Sequence, residues 1–437
     1  MLFTSGKGRH YVLGYDLGDE VSQISYMAMD ADMPETLSIL AGAELYNIPT
    51  ILCKREDANQ WFYGKEAIRH IEDEDGICVD HIVDAARKGN RIKVGDNDYD
   101  PATLLTLFVK RTLSLLSMEL SLEYVDAIMF TTDSLDDRMI QVLKVVSEGL
   151  DLKKAKVFYQ SHEESFYNYM MYQSEDMLAH NVIAFDYNLG PMKEYQMSFN
   201  HATTPVVVTI DTTVHNEMEI PGRKLPDDIS TRQEAMSLMD IDFLKICEDA
   251  CKNKIVGTVF LLGDGYHENW TKKSLDYLCR TRRVFQGNNL FSKGASIAAR
   301  ERVETKSEDV KIRYVYLGED KLKANLGMHL QKQGEMCYHA LMDAGVNWFD
   351  ASTTLEAILD EGNRIDIQVV PLTGDKSKTV SVILDGLEER PPRTTRILMH
   401  MSMIAATTVQ VVVKDLGFGE LFKSSDKIWT EEFSIVD

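Results

Sequence analysis

The stretch GYDLGDEVSQISYM, residues 14–27, carries the reading of the fold. Tyr11–Gly14 is a β-prone run ending at a turn, and Val21–Met29 is a second such run after Asp16-Leu17-Gly18. The segment therefore reads as a hairpin with its turn at Gly18–Glu20. Two later stretches are built alike. VIAFDYNLG (182–190) is a strand running into a turn, and VGTVFLL (256–262) breaks at Gly263-Asp264-Gly265. Taken singly, each is only a turn, because Asp-Leu-Gly and Gly-Asp-Gly arise constantly by chance.

Between these stretches, strand and helix patterns alternate. IPTILC (48–53) predicts a strand, and Trp61–Gly64 leads into a helix beginning near Lys65. Lys88–Asp100 reads as a charged loop, after which Pro101 opens a long amphipathic helix with Leu104, Leu105, Phe108, Leu113 and Leu116 at helical spacing. VDAIMFTT (125–132) predicts a buried strand, and LDDRMIQVLKVVSEGL (135–150) a helix with Gly149 as its C-cap signal. KVFYQS is a strand and HEESFYNYMMYQ a helix. KEYQMSF and TPVVVTIDTTV are hairpin strands, Glu217–Arg232 is a loop, and the pattern turns helical from Ser230. Such alternation argues for α/β sheets with helices on their faces. After about Glu304 the character changes. KIRYVYLG, RIDIQVVPL, TVSVILDGL, TRILMHMSMI and TVQVVVKDL are β-prone runs separated by turns, which predicts a separate all-β module.

The 437 residues exceed what a single core usually supports, and 44% hydrophobic with 27% charged residues is a globular profile. With 47 basic against 69 acidic residues, the formal charge of −22 disfavours a nucleic-acid partner. No run approaches the ~18 apolar residues of a membrane span, so a cytoplasmic protein is expected. The six cysteines lack framework spacing, which suits reduced thiols. Cys247 and Cys251 stand one helical turn apart, where buried thiols are a more ordinary explanation than a shared metal. Met399, Met401 and Met403 read as one buried strand face, and Arg280, Arg282 and Arg283 as a solvated helix end.

In their order, the three loops resemble the phosphate loops and adenosine loop of the actin, hexokinase and DnaK ATPase superfamily. The material between them is similar to the DnaK branch. IPTILCKREDANQWFYGKEAI matches its strand pair and following helix, and residues 125–170 follow its strand–helix–strand–helix. FSKGASIAAR (291–300) looks like the closing helix of the ATPase domain. Residues 344–372 and 382–420 resemble the DnaK peptide-binding sandwich in turn placement. The resemblance implies an α/β chain with an actin-like two-lobed ATPase fold of ribonuclease H-like halves, lobe I about 1–180 and lobe II about 181–305. A C-terminal β-sandwich domain follows over 306–437, without the family's helical lid.

By this resemblance Asp16, Leu17, Gly18, Asp186, Gly190, Gly263, Asp264 and Gly265 would hold ATP or ADP. Asp16 and Asp186 would organise Mg²⁺ through its waters. Glu163 and Glu164 are candidates for positioning the hydrolytic water, with the bland reading that both complement a helix dipole. The departures from the family pattern lie at the phosphate end. Asp19 and Glu20, acceptors only, stand where a hydroxyl donor is usual. The second loop reads Tyr187, Asn188, Leu189, Gly190, Pro191 in place of a glycine run. The interval before the adenosine loop is also too short for the family's inserted subdomain. The expectation is a divergent DnaK-like protein, a degenerate ATPase scaffold binding a polypeptide or protein partner through its β domain. The alternatives are an active ATP-dependent chaperone and an actin-type assembling protein.

Overall fold

Residues 14–27 form the expected hairpin: strands Tyr11–Leu17 and Val21–Ala28 pair antiparallel, with Asp16 opposite Gln23 and Leu17 opposite Ser22. The computed structural model describes residues 8–436 except 41, 56–59, 151, 153, 305–312 and 373–375. The chain is mixed α/β and divides into two units, Met1–Tyr316 and Leu317–Asp437.

The first unit contains the same arrangement twice. In one sheet, Tyr11–Leu17 pairs antiparallel with Val21–Ala28, which pairs with Glu35–Thr36. On its other side lie Val125–Thr132 and then Lys156–Ser161, both parallel. In the second sheet, Asn181–Asp186 pairs antiparallel with Met192–Asn200, which pairs with Val206–His215. On its other side lie Val256–Leu262 and Arg283–Gly287, again parallel. The first parallel strand emerges from a long connection whose helix, Pro101–Leu113, is capped by Asp100 accepting from Thr103 N at 2.9 Å. Its counterpart in the second half is helix Ile229–Ala250, capped by Asp228.

Each half ends in a helix that packs on the sheet of the other half. Phe166 and Met170 of His162–Met171 pack against Val182, Ala184, Tyr195 and Met197 of the second sheet. Ala295, Ile297, Ala298 and Ala299 of Leu290–Val303 pack against Val12, Met27, Ala127 and Met129 of the first. The two helices cross so closely that a Cβ on Gly294 would stand 1.9 Å from the Ser165 carbonyl oxygen, and strand meets helix as closely at Gly14, where a Cβ would stand 2.1 Å from the Ser292 carbonyl oxygen. Small residues there bring backbone to backbone, and so bring the carboxyl ends of both sheets to one place.

The second unit is built of two four-stranded antiparallel sheets. Their alternating strands bury one face each: Ile365, Ile367 and Val369 in one sheet, Met399, Met401, Val409, Val411 and Val413 in the other. The methionine alternation is thus a core face.

Several local expectations are corrected. Residues 48–53 are two strands, Ile48–Pro49 on the first sheet and Leu52–Arg55 in a small three-stranded sheet. Lys88–Asp100 contains a hairpin, Ile92–Val94 with Asn97–Tyr99. Gly149 is the last helical residue, with Leu150 as the cap; what keeps a side chain from position 149 is Thr106, which a Cβ there would meet at 2.5 Å. The 217–232 segment is a loop only up to Asp228 and includes the short turn Pro221–Arg223. Arg283 begins a strand and pairs with Asp176 at 2.6 Å. The expected boundary between 305 and 306 falls outside the described residues, and Tyr314–Tyr316, assigned from sequence to the β module, joins the first unit by pairing with Val206–Val208. Three backbone pairs to an existing edge outweigh the composition of the run. Among the described residues no helix is long and apolar enough to cross a membrane.

Candidate functional site

Register brings the three loops together. Asp16, next to the last residue of its strand, lies beside Thr131, while Asp186 lies opposite both Lys193 and Leu262, so the turns that follow face one another. Between them is a cavity of about 370 Å³, lined by Asp16, Gly18, Asp186, Gly190 and Gly263. Asp19, Glu20, Asn47, Asp133, His162, Lys193 and Arg223 share its wall.

The other expected site residues stand off the wall. Leu17 is fully buried in the core of the first half. Asp264 and Gly265 serve the joint between the second and third loops, with Gly265 N donating to Tyr187 O at 3.0 Å and Asp264 N donating to Asn188 Oδ1 at 2.9 Å. A Cβ on Gly263 or Gly265 would come within 2.4 or 2.6 Å of the Tyr187 carbonyl oxygen. These glycines are therefore required by the packed Tyr187 whatever the cavity holds. Glu163 accepts from the Thr212 hydroxyl at 2.8 Å. Glu164 is buried, and its backbone N–H donates to Ser161 Oγ at 3.2 Å, so Ser161 caps the helix whose first turn holds both acids.

The first-turn acids, read from sequence as acceptors where a hydroxyl donor is usual, both have partners. Asp19 accepts from the Asp84 N–H at 2.9 Å and pairs with His81 Nδ1 at 2.6 Å, which holds the imidazole above its ordinary pKa. Glu20 pairs with Arg223 across the cavity. Arg223 arrives there because Ile220 N donates to Leu189 O at 2.9 Å, and because Gly222 and Arg223 both take left-handed backbone, φ 67° and 50°. Its guanidinium fills the space above Gly190, where a Cβ would stand 2.9 Å from Cζ. The one glycine left in the second loop thus makes room for an arginine.

Deeper in, charges pair across the cavity. His162 Nε2 donates to Asp16 Oδ1 at 2.7 Å with its ring stacked on Phe291 at 4.1 Å, and Lys193 Nζ donates to Asp133 Oδ2 at 2.7 Å. Burial pulls the His162 imidazole down, but Asp16 outweighs it and the pKa is raised. Burial likewise works against Lys193, and Asp133 keeps it raised. Asp186 has the weakest support: desolvation pushes it up to about 6, against the partial relief of His162 and Lys193.

A folded pKa above the unfolded ~3.9 means that the folded state binds the extra proton between about pH 4 and 6, so stability falls as pH rises through that window. Asp186→Asn is expected to raise stability by about 2 kcal/mol at pH 7–8, with the gain fading toward pH 4. Urea unfolding of both proteins across that range checks it; a loss of stability at pH 8 would mean that the carboxylate is held by a partner it needs.

His162, Lys193, Asp133 and Arg223 were not singled out as site residues from sequence. Lys193 had a usable signal, since it sits across the hairpin from Asp186. Arg223 had none, because its approach depends on the fold of the whole 216–228 excursion.

A family model described as Family of unknown function (DUF5716) C-terminal matches residues 33–319, and one described as Domain of unknown function (DUF8552) matches residues 321–435. No curated protein matches the chain.

Proposed function

The chain belongs to the family of unknown function DUF5716, and on the geometry of its cavity we propose that it is a divergent DnaK-like protein whose ATPase fold is a scaffold without turnover. The actin-like part of this reading is supported by the doubled arrangement, in which a three-strand meander is followed by two parallel strands in each half of the first unit. That is the order of ribonuclease H-like halves. The two four-stranded sheets of the second unit, each buried on one face, suit a β-sandwich.

The observation that carries the loss of turnover is the Glu20–Arg223 pair above Gly190. An anion in the cavity needs donors, and the cations on its wall already serve carboxylates: Arg223 serves Glu20, Lys193 serves Asp133 and His162 serves Asp16. A triphosphate would have to break these pairs, and the replaced donors of the second loop, at about 1.5–3 kcal/mol per hydrogen bond to a charged group, are not there to offset it. The binding role then falls to the second unit, and the partner would be a polypeptide or protein.

The test is calorimetric titration with Mg-ATP, together with phosphate release by the protein and by an Asp16→Ala, Asp186→Ala control. No binding heat and equal, near-zero rates are expected. Release well above the control would make this an active ATPase, with Arg223 leaving Glu20 to hold phosphate. Fluorescence anisotropy of a labelled extended apolar peptide tests the second unit.

A further inference from the structure

Cys53 and Cys78 are 25 residues apart in sequence and directly opposite one another in structure, on the antiparallel strands Leu52–Arg55 and Gly76–Val79. Directly opposed residues project to the same face of a sheet, with Cα atoms ~4.5–5.5 Å apart, inside the ~4.4–6.8 Å that a disulfide spans. Both thiols are free, Cys78 exposed and Cys53 buried. The Cys53 sulfur lies over Gly76, 2.3 Å from where a Cβ would stand. Gly76 and Cys78 are two residues apart on one strand and so share a face, which puts this sulfur on the side where Cys78 projects. A rotation about χ1 of Cys53 would turn it from Gly76 toward Cys78.

The geometry points to a modification site: Cys53 and Cys78 form a cross-strand disulfide when the protein meets a small-molecule disulfide such as oxidised glutathione. The exposed Cys78 thiolate attacks one sulfur of the oxidant, forming a mixed disulfide and releasing one glutathione thiolate. The Cys53 thiolate then attacks the Cys78 sulfur, releasing the second glutathione. Two thiols are oxidised, one disulfide is reduced, and two protons pass to solvent or to the leaving thiolates. Burial and the neighbouring Asp75 and Asp80 push the two thiols up, which makes the exchange slow at neutral pH and leaves its direction unchanged. The bridge would close a loop around helix Gly64–Glu72.

The test is incubation of the full chain with oxidised glutathione, alkylation of remaining thiols, and peptide mass spectrometry of the wild type, Cys53→Ser and Cys78→Ser. The wild type is expected to yield a linked pair of peptides containing Cys53 and Cys78, lost on reduction by dithiothreitol. In Cys53→Ser, glutathione is expected to accumulate on Cys78 several-fold above the wild type, and in Cys78→Ser neither product forms. Equal glutathione on Cys78 in the wild type and in Cys53→Ser would overturn the proposal, as would linkage of Cys78 to any other cysteine.

Discussion

Asp415→Ala is expected to cost the second unit about 3–5 kcal/mol, because it leaves the buried Arg390 guanidinium with only the exposed Glu388 carboxylate, 3.9 Å away, as a counter-ion. Asp415 is 0% exposed at its side chain and Arg390 4%. They meet in a two-bond fork, Nη1 to Oδ1 at 3.0 Å and Nη2 to Oδ2 at 2.8 Å. The same carboxylate accepts from Gly417 N at 2.8 Å and from Ser425 N and Oγ at 2.8 and 2.7 Å, so its loss also orphans the turn after strand Thr408–Gly417. Burial alone would raise the Asp415 pKa, but Arg390 and these donors hold it well below the carboxylate range. The stability that it contributes is therefore present above pH ~4 and is lost as pH falls below it. Hydrogen exchange of strands Thr395–Ala405 and Thr408–Gly417, read by mass spectrometry in wild type and variant, is the measurement. A shift below about 1 kcal/mol would show that solvent reaches the pair and screens it.

Gly294→Ala is expected to destabilise the first unit by about 2–3 kcal/mol, although alanine in a helix interior normally gains about 1 kcal/mol over glycine. The added methyl would stand 1.9 Å from the Ser165 carbonyl oxygen, a backbone atom that no rotamer change can move aside. Relief requires separating helices His162–Met171 and Leu290–Val303. These carry Phe166 and Met170 on one sheet and Ala295 to Ala299 on the other. The same separation would move His162 from Asp16, so the raised His162 pKa, read by NMR titration, should fall in the variant. Urea unfolding gives the stability change, and a net gain would mean that the crossing has slack.

Much of the chain is written locally. Alternating β-prone runs broken at Gly18, Gly190 and Gly263 located three strand-to-turn junctions, because strand period and turn chemistry are properties of a few adjacent residues, while the family resemblance singled them out as loops of one site. The helix opened by Pro101 and the buried methionine face of 399–403 were legible for the same reason. Less legible were edges and short elements. Tyr314–Tyr316 went to the wrong unit, since a three-residue strand is defined by the edge it finds, and the hairpin at 92–99 was hidden in a charged run.

At the site the division is sharper. That the loops converge was what the family resemblance implied, and Asp16, Gly18, Asp186, Gly190 and Gly263 do line one cavity. What those residues face could not be read. Gly190 looked like a remnant of a phosphate loop, yet it borders the guanidinium of Arg223. Gly263 and Gly265 resemble adenosine-loop glycines, and what the fold shows at them is the room they make for Tyr187. Asp19 and Glu20 read as acceptor-only acids, and the partners they find, His81 and Arg223, come from elsewhere in the fold. The sequence by itself determined the strands, the turns and the places where backbone must come close, because these follow from local sterics and hydrophobic period. Only the tertiary structure decided what fills the space so created, because an ion pair such as Glu20–Arg223 joins residues 203 positions apart and exists only where the two halves of the fold bring their loops within reach of a side chain.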